Sequence, residues 1–272
     1  MRFKLHFVLD GKNQELPLNY QYPVSAWIYK VLSTADAEFT RLLHDHGYKT
    51  ENGKTFKLFT FSKLMFPKHT YKHIENSDRL QIWSRNAWLN VAFQLPEQCE
   101  KFITGLFKEQ KVYIGDKVSG IEMELKTIEA LKNYIPHDTT VKLKTKTPIV
   151  LGFKEESEEI ETYIIPGTGE YHKLFLNNLR DKLSAVGKPN MISDNIEFNI
   201  TKLHTKTELQ TIKAYTREET KVRGYHYEFE LTAPKEIIEL GLNAGFGSMN
   251  SLGFGWCEVV ENDSNTKTIT KE

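Results

Sequence analysis

Residues 2–9 read Arg-Phe-Lys-Leu-His-Phe-Val-Leu, a run in which apolar and polar side chains alternate. A period of two is typical of a β-strand that buries one face. One face carries Phe3, Leu5, Phe7 and Leu9, and the other carries mostly Arg2, Lys4 and His6. We therefore predict that the chain opens with a half-buried strand, to which the other elements of the first half attach.

The segments that follow alternate between helical and extended patterns. Pro23 opens a helix, and Ser33 with Asp36 resembles a capping box that starts a second helical piece ending before Gly47. Side chains predicted to face the core from the helical pieces are Val24, Trp27, Ile28, Val31, Leu32, Phe39, Leu42, Leu43, Cys99, Phe102, Ile103, Leu106 and Phe107. The remaining segments are predicted strands at Phe56–Phe61 and Arg79–Ser84, a helix from Pro96, and extended chain at Lys111–Ile114 and Ile121–Leu125. This β-α-β-β-α-β order is that of a ferredoxin-like unit.

The same order of elements recurs in the second half. Its predicted segments are a strand around Val141–Thr145, a helix at Tyr171–Leu183, strands at Asn195–Leu203 and Arg223–Leu231, a helix from Pro234 to Leu240, and a strand at Gly255–Val260. The sequence thus predicts an α+β chain of two tandem ferredoxin-like domains, residues 1–136 and 137–272, which meet near Pro136–Thr139. We expect the acidic run Glu155–Glu161 to be a solvated loop and the tail after Asn262 to be frayed.

Composition excludes several classes of protein. The chain has 272 residues, with 36 Lys plus Arg against 36 Asp plus Glu, so a nucleic-acid partner requires a local basic face. Cys99 and Cys257 are too few for a disulfide scaffold or a four-cysteine zinc site, which favours a reducing compartment. Met1 leads directly into the first strand, and apolar runs are short. We expect a cytoplasmic protein that does not enter membranes.

The most specific segment is Ala-Gly-Phe-Gly-Ser-Met-Asn-Ser-Leu-Gly-Phe-Gly-Trp at residues 244–256, called here the glycine segment. A phosphate-binding Walker loop would need a lysine, and a dinucleotide fingerprint would need a third glycine where Asn250 stands. Two interpretations remain open. The glycines let main-chain N–H groups meet a nucleic-acid backbone, or they form a helix cap and turn whose Phe254 and Trp256 fill the core.

This segment resembles the C-terminal glycine-rich loop of the repeat-associated RNA-binding superfamily of CRISPR proteins, and in detail the family that cleaves CRISPR repeat RNA. Residues 27–29, Trp-Ile-Tyr, residues 42–45, Leu-Leu-His-Asp, and residues 56–62, Phe-Lys-Leu-Phe-Thr-Phe-Ser, look like the catalytic region of that family. The similarity covers residues 1–66 and about 30 residues before the tail. The resemblance implies two ferredoxin-like domains and RNA cleavage without metal or cofactor, by attack of a ribose 2′-hydroxyl on the adjacent phosphate.

Carried over position by position, the resemblance places three catalytic side chains at Tyr29, His44 and Lys57. His44 would transfer protons, since an imidazole gives or takes a proton near neutral pH, and Lys57 would neutralise charge on the phosphate. Tyr29 would orient the 2′-oxygen or the phosphate, or would only pack by its ring. His46 and Lys54 are the alternatives, and a His-x-His metal site or surface roles are the other interpretations of these residues.

RNA binding is expected from the glycine segment and from basic strips on predicted strands. The residues expected to bind RNA are Gly245, Gly247, Ser248, Asn250, Ser251, Gly253, Gly255, Lys142, Lys144, Lys202, Lys206 and Arg223. The alternative for each lysine is an ordinary solvated side chain that does not bind RNA. We favour RNA for the set because the balancing acids concentrate elsewhere, notably at Glu155–Glu161.

The expected function is a metal-independent endoribonuclease that cleaves CRISPR repeat RNA in precursor transcripts, leaving a 2′,3′-cyclic phosphate and a 5′-hydroxyl. The principal alternative is a catalytically inactive subunit that holds guide RNA in an effector complex. A third is a ferredoxin-like RNA-binding module unrelated to CRISPR, which the lack of an aromatic RNP motif disfavours. Expected partners are the repeat RNA and, as further options, effector-complex subunits and a second copy of the chain.

Overall fold

A computed structural model describes residues 1–132, 140–153, 162–189 and 196–260 of the protein. Its helices are α1 (Gln21–Ala35), α2 (Ala37–Asp45), α3 (Pro96–Lys108), α4 (Gly169–Ala185) and α5 (Lys235–Ala244). Its strands are β1 (Arg2–Val8), β2 (Gln14–Pro17), β3 (Tyr48–Lys49), β4 (Thr55–Phe56), β5 (Phe59–Phe61), β6 (Tyr71–His73), β7 (Arg79–Ile82), β8 (Asn86–Phe93), β9 (Lys111–Gly115), β10 (Gly120–Leu131), β11 (Thr140–Thr145), β12 (Gly152–Phe153), β13 (Thr162–Tyr163), β14 (Glu197–Ile212), β15 (Thr220–Thr232) and β16 (Cys257–Val259). Within these described residues, no helix is long and apolar enough to cross a membrane.

The opening strand, β1, is the centre of the N-terminal sheet, whose order is β5-β8-β1-β10-β9. It pairs antiparallel with both β8 and β10. Phe7 packs edge-on against Trp27 of α1 with ring centroids 5.9 Å apart, and Trp27 packs in the same way on Phe102 of α3 at 6.0 Å. The predicted strand and its buried face are confirmed, and the two long helices of this half share one face of the sheet.

The third strand of the N-terminal unit is β8, and the prediction of Arg79–Ser84 for that place was wrong. The segment forms β7, which pairs with β2 and β6 in a separate three-stranded sheet. β8 instead lies between β1 and β5, with Trp88 opposite His6. Both segments contain extended chain with apolar residues, so the pattern alone does not tell which of them pairs with β1.

The predicted strand Phe56–Phe61 is interrupted in its middle. β4 pairs with β3, whereas β5 joins the main sheet through β8. Leu58, between them, has φ of +56°, a left-handed conformation that ends the extended run. Lys57 therefore lies in a break between two strands and not on a regular strand.

The capping box predicted at Ser33 was also wrong. Ser33 lies inside α1, and Asp36 is the residue that caps α2, since its side chain accepts a hydrogen bond from the Phe39 amide at 2.9 Å. Two of the side chains predicted for the core are exposed, Leu42 by 49% and Phe107 by 71%. Their neighbours in the sequence, Leu43 and Leu106, are buried. The buried face of each helix therefore ends one residue away from the exposed side chain.

The C-terminal sheet has the order β14-β15-β11-β16. In each half, the second, third, first and fourth strands of the unit lie side by side in that order: β5, β8, β1 and β10 in the first half, and β14, β15, β11 and β16 in the second. The two tandem ferredoxin-like units are thus confirmed. Aromatic rings from α4, both long strands and the glycine segment form its core, with Phe175 stacked on Phe198 at 3.8 Å and on Phe246 at 5.9 Å. The predicted boundary at 136/137, the acidic run and the tail lie outside the described residues, and the domain limits stay a prediction.

The two halves contact each other through several polar bonds. The Arg2 guanidinium donates to the Cys257 carbonyl at 3.0 Å and lies 3.8 Å from the centroid of the Trp256 ring. Thr60 of β5 donates to the Phe254 carbonyl at 3.1 Å. These bonds hold the glycine segment of the C-terminal half against the N-terminal sheet.

Candidate active site

Tyr29, His44 and Lys57 come from three separate elements and meet at one place. Tyr29 lies on α1, His44 in the last turn of α2, and Lys57 in the break between β4 and β5. The rings of Tyr29 and His44 are perpendicular, with centroids 5.1 Å apart. The Lys57 ammonium donates to the carbonyl oxygens of Leu43 at 2.8 Å and of His44 at 2.5 Å. Three residues named from a resemblance are thus spatial neighbours.

Gly47 makes this arrangement possible. It ends α2 with φ of +64°, and its amide, like that of His46, donates to the Leu42 carbonyl at 3.0 Å. A Cβ at this position would lie 2.7 Å from the Phe56 carbonyl oxygen and 3.3 Å from the Lys57 ammonium. Only glycine therefore lets the chain around Lys57 pass so close beneath the end of α2.

The Lys57 ammonium occupies the C-terminal end of a helix, where the free carbonyls attract a cation. Burial lowers the pKa of Lys57, while the negative charge of Asp45 opposes that change. An ammonium group has three N–H donors, and two are used by the carbonyls of Leu43 and His44. Within the described part of the chain, the third donor has no acceptor at hydrogen-bond distance.

Tyr29 is a partly buried phenol. Burial raises its pKa to about 12, which a hydrogen bond to the Ser251 side chain opposes. The Phe59 ring packs edge-on against it at 5.5 Å. At neutral pH the group is a neutral hydroxyl, so it can orient an oxygen by hydrogen bonding but does not serve as a phenolate base.

His44 is open to solvent, with 66% of its side chain exposed. Its Nδ1 lies 3.0 Å from Asp45 Oδ1, so in the tautomer with the proton on Nδ1 the ring donates to this carboxylate and Nε2 is an acceptor. The sequence assigned no role to Asp45, although a carboxylate beside a histidine is a signal for an orienting partner. His46 caps α2 and is exposed, and Lys54 is held by Asp181 of α4 at 2.6 Å. Neither alternative has the geometry of the Tyr29, His44 and Lys57 group.

The glycine segment lies next to this group but is folded inward. Gly245, Gly247, Gly253 and Gly255 are all buried, and all have positive φ. Added Cβ atoms would meet protein, for example the Phe246 carbonyl oxygen at 2.0 Å from Gly255 and the Phe61 ring at 2.7 Å from Gly253. The glycines are needed for packing within the protein.

The main-chain N–H groups of the segment are also largely used inside the protein. The amides of Phe246, Ser248, Leu252, Gly253 and Gly255 donate to protein carbonyls at 2.8–3.0 Å. These five amides are engaged within the protein, and the RNA contact expected of the segment stays a prediction. Ser248 and Ser251 are partly exposed, whereas Asn250 is buried, so contact with RNA is open only at the rim of the segment.

A residue that the sequence analysis missed, Lys182, holds the glycine segment from beneath. It lies on the buried face of α4 and donates to oxygens of Gly245, Gly247 and Asn250. The signal was present in the sequence. Lys182 follows Phe175 and Leu179 at helical spacing, and a lysine on an apolar stripe requires a partner for its charge.

The basic strips are less positive than expected. Lys142 and Lys144 both pair with Glu228, at 3.8 and 3.2 Å, so the acids that balance them stand beside them and not only at Glu155–Glu161, which lies outside the described residues. Lys202 and Arg223 are exposed. The side chain of Lys206 lies outside the described part of the chain.

Comparison with family models and curated relatives points to one family. A family model described as CRISPR-associated protein Cas6, N-terminal, matches residues 15–126, and one described as CRISPR associated protein Cas6, C-terminal, matches residues 129–259. Curated relatives are the CRISPR-associated endoribonuclease Cas6 1 of Methanocaldococcus jannaschii, 28% identical over 100% of this chain and 98% of the relative, and the CRISPR-associated endoribonuclease Cas6 of Pyrococcus furiosus, 25% identical over 100% and 95%.

Solved structures lead to the same family. A structure described as CRISPR associated protein Cas6 has a TM-score of 0.70 and 26% identity, over 96% of this chain and 99% of the other. A structure described as a RAMP protein binding different RNA substrates has a TM-score of 0.77 at 20% identity, over 96% and 100%, and shows the fold alone. Since the two family models adjoin and the curated relatives align over the full length, the chain belongs to the Cas6 family of CRISPR-associated proteins.

Proposed function

We propose that the protein is an endoribonuclease that cleaves CRISPR repeat RNA in precursor transcripts, without a metal ion. The observation that supports this most is the meeting of Tyr29, His44 and Lys57 from α1, α2 and the β4–β5 break. The names of the curated relatives, CRISPR-associated endoribonucleases, support the same activity. A subunit that only holds guide RNA would have no use for this combination of groups.

In the proposed reaction, the nucleophile belongs to the substrate. The ribose 2′-oxygen loses its proton and bonds to the adjacent phosphorus, the bond from phosphorus to the 5′-oxygen breaks, and the 5′-oxygen takes up a proton. The products are a 2′,3′-cyclic phosphate and a 5′-hydroxyl. The protein must align the two oxygens, move the protons and offset the charge on phosphorus.

Each side chain suits one of these tasks. His44 transfers protons through Nε2, held by Asp45 at Nδ1. Lys57 offers its third N–H to a phosphate oxygen, and the neutral hydroxyl of Tyr29 orients the 2′-oxygen or the phosphate. RNA would approach over the rim of the glycine segment, Ser248 and Ser251, and along Lys142, Lys144, Lys202, Lys206 and Arg223.

The remaining parts of the proposal concern the context of the protein. We place it in the cytoplasm, with effector-complex subunits or a second copy of the chain as further partners. We also keep the division into residues 1–136, which carry the catalytic group, and 137–272.

Replacement of His44 tests the proposal. We expect His44→Ala to bind repeat RNA with nearly unchanged affinity but to cleave it about 10²-fold more slowly or worse in single-turnover experiments, the usual effect of removing a positioned acid or base. His46→Ala, two residues away and exposed, is the matched control and should cleave normally. Normal cleavage by His44→Ala together with loss in His46→Ala would assign the proton transfer to His46.

A further inference from the structure

Lys182 is a lysine in the interior of the protein, with 1% of its surface exposed. Its ammonium donates to the Gly245 carbonyl at 2.5 Å, the Gly247 carbonyl at 2.8 Å and Asn250 Oδ1 at 2.8 Å. The three acceptors are neutral and use all three N–H donors. Burying an ammonium costs free energy unless it is fully hydrogen-bonded, so the glycine segment has to keep this shape around it.

Asn250 extends the effect of Lys182 to the whole segment. Its Nδ2 donates to the Phe246 carbonyl at 3.0 Å and to the Phe254 carbonyl at 3.1 Å, while its Oδ1 accepts from Lys182. The two side chains together tie both ends of the segment to one point beneath it. We call Lys182 and Asn250 the clamp.

The clamp is linked to the candidate active site through Ser251. This residue follows Asn250 in a short 3₁₀ turn, Asn250–Leu252, which packs on α1 and β5, and its side chain interacts with the Tyr29 hydroxyl. Beyond the turn, Gly253 packs on Phe61 and the Phe254 carbonyl accepts from Thr60. A shift of Asn250 therefore moves the side chain that interacts with the Tyr29 hydroxyl.

A second contact runs to the strand break. The Lys182 ammonium lies 5.9 Å from the centroid of the Phe56 ring, and Phe56 directly precedes Lys57. Phe56 packs against the hydrophobic core of the C-terminal half. The same buried lysine thus adjoins the supports of two catalytic candidates.

We infer that Lys182 is a positioning residue of the cleavage reaction: through Asn250 and Ser251, the C-terminal half sets the orientation of the Tyr29 hydroxyl on the N-terminal half. The inference rests on the proposed function. According to this inference, the inner face of the glycine segment orients the active-site groups, and this role is separate from any contact of the rim with RNA.

Lys182→Met tests this inference, with Lys173→Met as the control. Lys173 lies on the same helix and is exposed. We expect Lys182→Met to lower the single-turnover cleavage rate at saturating RNA about 10- to 100-fold, the range for a small misplacement of a reacting group, and to change RNA affinity less. Lys173→Met should cleave at the normal rate. Circular dichroism shows whether each variant is folded. If Lys182→Met does not fold, Ser251→Ala replaces it in the test; this variant leaves the clamp intact and should also lower the cleavage rate.

A double-mutant cycle separates positioning from a general loss of stability. If Lys182 acts through Tyr29, then Lys182→Met, or Ser251→Ala in its place, should slow cleavage much less in the Tyr29→Phe background than in the unchanged protein. Fully multiplicative effects on the rate would overturn the inference. Normal cleavage by a folded Lys182→Met, or by Ser251→Ala where Lys182→Met does not fold, would overturn the inference alone. Absence of cleavage by the unchanged protein would overturn the proposed function and the inference together.

Discussion

At the scale of single residues, the chemistry depends on small distances around the end of α2. Lys57 reaches the carbonyls of Leu43 and His44 because nothing larger than a hydrogen atom stands on Gly47. The resemblance located Lys57 in the sequence, but it did not show that the strand breaks there. Leucine rarely adopts positive φ, so the left-handed Leu58 gave no signal in the sequence.

Gly47→Ala provides a prediction at this scale, with Gly53→Ala as its control. Both glycines have positive φ, +64° and +82°, so both replacements carry a similar backbone cost of about 1 kcal/mol. A Cβ on Gly53 would meet nothing within 4 Å, whereas one on Gly47 would collide with the Phe56 carbonyl and crowd Lys57. We expect Gly47→Ala to lower the cleavage rate at least about tenfold and Gly53→Ala to leave it nearly unchanged. Equal rates in the two variants, measured in single turnover, would show that Lys57 needs no such close passage.

At the scale of elements, the glycine segment is a packed core element with an exposed rim. Its similarity to a known loop was visible in the sequence, but its inward fold was not, because the partner that requires it, Lys182, lies 63 residues away from Gly245. The four glycines alone are equally compatible with an exposed loop. The buried lysine on α4 distinguishes the two cases, since its three acceptors must come from a segment that folds over it.

Burial of Lys182 gives a prediction about stability and pH. Burial lowers the pKa of Lys182 from 10.5 to about 7, with the nearby Cys257 thiol opposing the change. Between these values the unfolded chain binds more protons than the folded protein, so this group makes the free energy of unfolding rise with pH, by at most about 1.4 kcal/mol per pH unit.

The comparison of the protein with its Lys182→Met variant isolates this contribution. The free energy of unfolding of the unchanged protein minus that of Lys182→Met should rise between pH 7 and pH 10 and stay level below pH 7, as measured by denaturant titration. Lys173→Met serves as the reference for the loss of an exposed lysine. A difference that is constant or falls from pH 7 to pH 10 would mean that Lys182 keeps its charge throughout.

At the scale of the whole molecule, residues of both halves lie around the candidate site. The order of elements in the sequence was enough for two ferredoxin-like units, because strands and helices of this kind pack in few ways. It was not enough to choose β8 over β7 as the third strand, or to show that Leu42 and Phe107 are exposed, since both depend on which neighbours cover a face. It also did not show that Ser251 of the second half interacts with the hydroxyl of Tyr29 of the first.

The two halves also associate through charged groups. Lys63 of the first half bonds to Glu208 of the second at 2.7 Å, and His226 bonds to the same carboxylate at 2.8 Å. Although burial alone would raise the pKa of Glu208, these hydrogen bonds lower it to about 2. Basic and acidic groups here fix the two halves together.

The central claim is that the ribose 2′-hydroxyl of the RNA is the nucleophile, and one measurement tests it most directly. Single-turnover cleavage in excess chelator is compared for a repeat RNA and for the same RNA with a single 2′-deoxy nucleotide immediately upstream of the scissile phosphate. We expect the unmodified RNA to be cleaved, because the charge on phosphorus is offset by Lys57, and the deoxy RNA to bind with similar affinity but to stay intact, because only the 2′-oxygen can attack. Cleavage of the deoxy RNA at the same bond would contradict the mechanism, and tight binding of both RNAs without cleavage of either would contradict the assignment as an enzyme.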